Sequence, residues 1–344
     1  MPETDTNELG FAILGAGMIA DYHRQAIEAN ADLGARLVAV GHYAPEKFDA
    51  IGQRFGVPCQ SYAEVLQRPD VDVVCICTPS GQHAEQALAA ANAGKHMLVE
   101  KPMALSLADA DAMIDACARN GVQLGIALQR RAEPLFQRVR QAISAGDLGE
   151  LTLGVITMPY SRDAAYYAQA EWRGTWAQDG GGVLMNQGIH LIDLLVWFMG
   201  DPVSIHAHAD TLHRPVEVED VAAATLRFAN GALATITATT TASPGFPHRV
   251  EIYGTNGGIQ LEGETVNVWT LADASKASVE PFVTAQPATA GAAADPRGIS
   301  ATGHIAIMRD LIQAIRTNRP PHIDGAEGRR SLAAVLGIYE AAGI

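Results

Sequence analysis

At 344 residues the chain exceeds what one ordinary core fills and suits two domains. Its 24 Lys+Arg against 38 Asp+Glu give a formal charge of −14, which excludes generic attachment to nucleic acid or an anionic membrane but not a locally positive cleft for a small anion. No apolar run reaches the roughly 18 residues of a membrane span, and the polar, acidic residues 1–10 are unlike a signal peptide, so the expected location is the cytoplasm.

Residues 1–128 alternate short apolar runs with helical patterns, the rhythm of a parallel sheet with crossover helices. Strands are expected at 11–14, 37–40, 71–77, 96–99 and 122–128, with helices near 21–29, 45–55, 84–93 and 107–120. Ser106, with Asp109 three residues on, is placed to cap the last helix, and Gly94 and Gly121 stand where helix C-termini favour glycine. The first strand runs into Gly15-Ala16-Gly17-Met18-Ile19-Ala20. A glycine turn that opens a helix offers free N–H groups and a positive helix end to a diphosphate, and the small Ala20 lets helix and strand pack closely. About 20 residues on, where an acid would favour NAD and an arginine NADP, stand His42 and Tyr43, with Glu46 and Lys47 one turn later. The choice stays open between NAD and NADP, with NAD favoured.

Two further strand ends carry chemistry. Thr78-Pro79-Ser80 with His83 closes the third strand, where hydroxyls and an imidazole suit the nicotinamide-side ribose; the alternative is a plain turn with a surface histidine. Glu100-Lys101-Pro102 closes the fourth, so Lys101 is expected at the sheet edge where ligands bind in open parallel sheets. A fixed ammonium there stabilises the charge that develops on an alcohol oxygen as hydride leaves. A lysine that merely snorkels to solvent is the alternative.

Beyond residue 151 the pattern changes to β-runs at 151–158, 203–209, 221–228, 232–241, 249–253 and 258–261, with helices near 188–198 and 302–316 and a third from about Ala326. Ala234, Ile236 and Ala238 alternate with Thr235, Thr237 and Thr239, as in a sheet with one apolar face, and Asn230-Gly231 is a hairpin signal. The stretch 274–298, rich in Ala, Pro, Ser and Thr, reads as a surface excursion. The division expected is 1–128 for a dinucleotide-binding domain and 129–344 for a substrate and oligomerisation domain. The fold class is α/β: a Rossmann domain followed by an α+β domain with a large open mixed or antiparallel sheet.

In the second half, Gly180-Gly181-Gly182 precedes a helical segment in which Asn186 and His190 stand four apart. Three glycines permit close approach of backbone to ligand, and the spacing puts both side chains on one face. His190 has the chemistry of an acid/base at neutral pH, and Asn186 could orient a hydroxyl without adding charge. Arg130, Arg131, Arg162, Tyr166, Tyr167, Trp172 and Arg173 supply guanidinium groups for carboxylates or phosphates and rings for sugar faces. His206, His208 and His213 lack a completing carboxylate or cysteine, so no metal is expected. Cys59, Cys75, Cys77 and Cys117 read as small buried thiols of a reducing compartment.

Taken together these features resemble the glucose–fructose oxidoreductase / inositol dehydrogenase family over nearly the whole chain. The glycine loop at 15–20, Thr78-Pro79 with His83, Glu100-Lys101-Pro102, Arg130-Arg131 with Pro134, the glycine triplet with His190, and the ending at 325–339 carry the likeness. The resemblance implies Lys101 and His190 at the hydroxyl being oxidised, and homodimers or homotetramers that pair through the C-terminal sheet. It places Gly15, Gly17, Met18, Ile19, His42, Tyr43, Thr78, Pro79, Ser80, His83, Glu100, Lys101 and Gln129 at the cofactor. It places Lys101, Arg130, Arg162, Tyr167, Trp172, Arg173, Asn186 and His190 at a sugar-type substrate. Many members carry Asp where this chain has Asn186; a branch that acts on UDP-N-acetylglucosamine-derived uronate also carries Asn, and segment 172–176 with Asn186-Gln187 is similar to it. The expected activity is NAD(P)-dependent oxidation of a secondary hydroxyl of a sugar, sugar acid, nucleotide sugar or cyclitol. A glycosidase working by transient oxidation and elimination, and a non-catalytic dinucleotide sensor, are the alternatives.

Overall fold

The computed structural model describes residues 8–277 and 300–344, so most of the 274–298 stretch lies outside the described residues. The chain forms two compact units. The first ends at Ala132 and regains Ala301–Leu332; the second comprises Glu133–Ser300 and Ala333–Ile344. The chain thus returns to its first unit near the end, a feature that a linear division at 128/129 does not contain.

The first unit runs β1 (Leu9–Leu14), α1 (Met18–Ala29), β2 (Ala35–Gly41), α2 (Phe48–Phe55), β3 (Cys59–Gln60), α3 (Tyr62–Gln67), β4 (Val73–Ile76), α4 (His83–Asn92), β5 (His96–Val99), α5 (Leu107–Asn120) and β6 (Leu124–Ile126). All pairs are parallel, in the order β3-β2-β1-β4-β5-β6. The order reverses beside β1, so the C-terminal ends of β1 and β4 border the crevice where doubly wound sheets bind ligands. Phe11, Ile13, Leu14, Cys75, Ile76, Leu98 and Val99 are buried, as strands covered by helices on both faces require. Ser106 accepts the Asp109 N–H at 3.0 Å and Gly121 ends α5 in the left-handed conformation, both as expected. Two elements absent from the expectation are β3, too short to show a period, and α3, which opens with a capping box between Ser61 and Glu64.

The second unit contains α6 (Pro134–Ser144), β7 (Leu151–Pro159), α7 (Ala164–Tyr167), α8 (Ile189–Met199), β8 (Pro202–Asp210), β9 (Val221–Phe228), β10 (Leu233–Thr239), β11 (Arg249–Gly254), β12 (Gly257–Glu262) and β13 (Thr265–Leu271). The sheet order is β13-β12-β11-β7-β10-β9-β8, with β7–β10 its parallel pair and the other neighbours antiparallel. Alternation along β10 is as expected: Ala234, Ile236 and Ala238 are buried while Leu233 and Thr237 are exposed. Asn230-Gly231 makes the β9–β10 turn, with Gly231 at φ 86°. Then α9 (Thr302–Thr317) and the first part of α10 (Gly325–Ala342) join the first unit, and the end of α10 joins the second.

Candidate active site

In the first unit the glycine loop joins β1 to α1. Gly15 has φ 98°, and a Cβ there would lie 2.6 Å from the Cys77 carbonyl oxygen, so the loop packs directly on the end of β4. At Gly17 an added Cβ meets nothing within 4 Å, and no side chain caps the helix start. The first N–H groups of α1 therefore face open space, which is the arrangement that receives a diphosphate. Arg54 of α2, which sequence reasoning missed, donates to the Ala16 carbonyl at 2.8 Å and pairs with Asp21, holding the loop from outside. Met18 and Tyr43 are exposed and Ile19 half-buried. His42 accepts the Ala44 N–H on Nδ1 at 3.1 Å and stacks on Tyr43. The second strand therefore ends in a ring whose Nε2 carries the proton, a donor where a carboxylate is common.

At the ends of β4 and β5 the side chains work on the backbone. His83 is 1% exposed, with Nδ1 2.7 Å from the Pro102 carbonyl and Nε2 2.9 Å from the Thr78 carbonyl. Its ring lies between the two loops and bonds main chain. Burial pushes its pKa down, so the neutral ring holds one N–H and donates to one of the two carbonyls. Glu100 is also buried. One of its oxygens accepts from His23 Nε2 at 2.8 Å and from His304 Nε2 at 3.3 Å, and the other accepts the Lys101 N–H at 3.2 Å. Burial alone would raise its pKa; the two imidazole N–H bonds hold it well below the usual carboxylate range. Glu100 therefore fixes the main chain of Lys101. His23, Glu100 and His304 are also the one His/Glu cluster with metal-ligand chemistry among the described residues. Their separations are those of direct N–H···O bonds. Thr78 and Gln129 are buried, and the Thr78 hydroxyl and Gln129 Oε1 have no partner among the described residues. Arg130 is buried beside Gln129, and Arg131 pairs with Glu327.

In the second unit the glycine triplet has a role that local spacing does not reveal. Gly181 has φ 152°, and a Cβ there would lie 2.0 Å from the Tyr339 hydroxyl; at Gly182 it would lie 1.8 Å from the Glu219 carbonyl oxygen. At both positions it is the protein itself that approaches the backbone closely. The buried Glu219 carboxylate accepts the N–H groups of Gly182 at 2.7 Å and Leu184 at 2.9 Å, and the Tyr339 hydroxyl at 2.9 Å. Burial pushes the Glu219 pKa up against those bonds, and pushes that of Tyr339 well up beside it. The helix begins earlier than expected, in a wide π-type turn over Val183–Gly188 that passes into α8. Such turns gather at functional sites. Asn186 and His190 lie four apart across that junction and are both half-buried. Asn186 donates its amide N–H to Asp179 at 2.6 Å. Arg173 lies over the rings of Tyr166 and Trp172, 4.5 and 4.7 Å from their centroids, and donates to the Tyr166 hydroxyl at 2.8 Å. Gln187 reaches the same hydroxyl at 3.3 Å, and Arg162 lies 5.4 Å from that ring. These residues share one neighbourhood. Tyr167 packs edge-on against Tyr166, 5.1 Å between ring centroids, and donates to Thr240 at 3.4 Å; His206, His208 and His213 are exposed.

Residues 9–128 match the model of an oxidoreductase family with an NAD-binding Rossmann fold, and residues 136–260 match the GFO/IDH/MocA C-terminal domain. The chain belongs to the GFO/IDH/MocA family. It is 31% identical over 259 residues to inositol 2-dehydrogenase of Rhizobium meliloti, spanning 74% of this chain and 76% of that one. The WlbA dehydrogenase from Bordetella pertussis, solved with NADH and UDP-GlcNAcA, superposes with a TM-score of 0.85 at 32% identity over 98% of each chain. Levoglucosan dehydrogenase, solved with NADH and levoglucosan, superposes with a TM-score of 0.82 at 25% identity, over 98% of this chain and 97% of that one. As a GFO/IDH/MocA protein the chain is a dehydrogenase of the sugar and cyclitol group, and its cofactor is NAD. The open helix start at Gly17 and the orphaned polar atoms of Thr78 and Gln129 fit such a group. No helix among the described residues is long and apolar enough to cross a membrane.

Two outcomes follow from this geometry. Gly15→Ala lowers the thermal midpoint sharply, because its Cβ collides with β4. Gly17→Ala folds with an unchanged midpoint and loses about tenfold in NAD affinity by calorimetry, since it obstructs only the phosphate side. Acid sensitivity is the second. Burial lowers the His23 pKa from its usual 6.5, so below that pH the unfolded chain binds a proton that the folded one refuses. Stability is thus full above about pH 6.5 and falls on acidification; the depressed Glu100 adds a second loss only below its usual 4.5. His23→Gln flattens the first part of a melting-temperature profile, and an identical profile in that variant contradicts the assignment.

Proposed function

We propose that the chain oxidises a secondary hydroxyl of a sugar-type substrate, with Lys101 polarising the oxygen, His190 taking its proton and Asn186 orienting it. The observation that carries this reading is that both stations are anchored by buried carboxylates. Glu100 holds the main chain of Lys101, and Glu219 holds the turn that leads to His190. Preorganised groups of this kind stabilise developing charge without reorganising at the moment of reaction. Bound NAD supplies the hydride acceptor. A positive Lys101 favours the alkoxide-like oxygen, and the neutral His190 imidazole accepts the proton that leaves it.

The substrate class favoured is an anionic sugar: a sugar acid or a nucleotide sugar. Arg173 lies on two aromatic faces and has no carboxylate partner among the described residues, so its guanidinium is available to a carboxylate or phosphate. The UDP-GlcNAcA bound to the WlbA relative has both groups. We also propose a cytoplasmic homodimer or homotetramer that pairs through the open face of the seven-stranded sheet. That face presents Leu153, Leu233 and Val268, 38, 46 and 39% exposed.

Lys101→Ala and His190→Ala each lower kcat/KM by about 10² or more in an assay of NADH formation over a panel of neutral and acidic sugars and nucleotide sugars. Acidic members of the panel turn over better than their neutral counterparts, and Arg173→Ala narrows that difference. Retention of wild-type kcat/KM in either Ala variant overturns the roles. Cofactor recycling without net NADH formation returns the glycosidase alternative. Native mass spectrometry showing a monomer overturns the assembly.

A further inference from the structure

Asp179 stands directly before the glycine triplet and is 3% exposed. Its two oxygens have different partners: Oδ2 accepts the Gly174 N–H at 2.8 Å, and Oδ1 accepts the Asn186 side-chain N–H at 2.6 Å. A carboxylate in this state accepts and does not donate. The Asn186 amide nitrogen therefore faces Asp179, and its carbonyl oxygen is turned the opposite way. The bond to Gly174 would be made equally well by an asparagine at 179, whereas the bond from the Asn186 amide N–H needs an acceptor there as well.

We propose that Asp179 is a positioning residue that sets the polarity of Asn186, so that an acceptor, not a donor, is offered on the side of the helix shared with His190. This rests on the roles proposed above for Asn186 and His190. An acceptor there receives the N–H of His190 or the O–H of the sugar, and a flipped amide would oppose both with a donor. The negative charge meanwhile sits one side chain back from position 186. It fixes the amide without competing directly for the substrate proton.

The test is a four-member cycle of wild type, Asp179→Asn, Asn186→Asp and the double variant. In Asp179→Asn the new amide donates toward position 186, so Asn186 flips and presents its donor. Asn186→Asp alone sets two carboxylates at hydrogen-bond distance. Each single variant lowers kcat/KM at least about tenfold. In the double variant the amide at 179 bonds Gly174 through its oxygen and donates to the carboxylate at 186. An acceptor is again offered, and kcat/KM recovers to within a few-fold of wild type. The NMR titration of the His190 imidazole gives a readout that needs no turnover. Its midpoint falls in Asp179→Asn and rises above wild type in the double variant by about half a unit or more, as the carboxylate moves nearer. Additive losses in the double variant, or a single Asp179→Asn that keeps wild-type kcat/KM, overturn the proposal. So does a His190 midpoint that is the same in all four proteins. Failure of the wild type to oxidise any sugar instead overturns the proposed function, and the titration then still decides the role of Asp179.

Discussion

A carboxylate taken out of water is costly unless nearly all its lone pairs are engaged, and the first unit is organised around one that is. Glu100 sits at the end of β5 and receives N–H groups from α1, from α9 and from the residue after it. Breaking one of these bonds leaves a buried charge short of a donor, which destabilises by several kcal/mol. The interaction ties the helix that begins at the glycine loop to the loop that carries Lys101. The return of Ala301–Leu332 to the first unit follows the same logic, since His304 comes from that segment. His83 lies between the Thr78 and Pro102 carbonyls and donates to one of them. Lys101 is thus placed through its own main chain.

The second unit repeats the device with different parts. Glu219 engages the first N–H groups of the turn that leads to Asn186 and His190, and it takes a third bond from Tyr339 in α10. Two glycines of the triplet are needed because Tyr339 and the Glu219 main chain occupy the space of their Cβ atoms. Asp220, next in sequence, is fully buried and accepts the N–H groups of Leu212, His213 and Arg214, fixing the loop between β8 and β9. In both units a buried acidic residue fixes main chain beside a residue proposed to act: Glu100 at Lys101, and Glu219 at the turn that leads to His190.

Much of this was legible where the signal is local. The glycine loop, the caps of α5, the β9–β10 turn and the alternation of β10 each depend on residues within a few positions of one another, and spans such as β5, α5 and β9 are those expected. The capping box at Ser61 was visible as a pattern and would have located α3. Contacts across long separations were not legible. Nothing near Gly181 points to Tyr339, and nothing near Glu100 points to His304, because both meetings depend on where a distant helix returns. His83 is a further case: its burial and its bonding to the loops after β4 and β5 could not be read from its place in the sequence. Local pattern indicated which residues to propose as reactive, and only packing shows what holds their main chain.

The central claim is the proposed pair of roles, Lys101 polarising the oxygen of the oxidised hydroxyl and His190 taking its proton. The most direct measurement is a crystal structure of the chain with NADH and an acidic sugar that it oxidises. The account predicts Lys101 Nζ and one His190 ring nitrogen each within about 3 Å of the same sugar oxygen, with Asn186 presenting its carbonyl beside them. A bound sugar whose reacting hydroxyl meets only one of the two side chains, or neither, would contradict it.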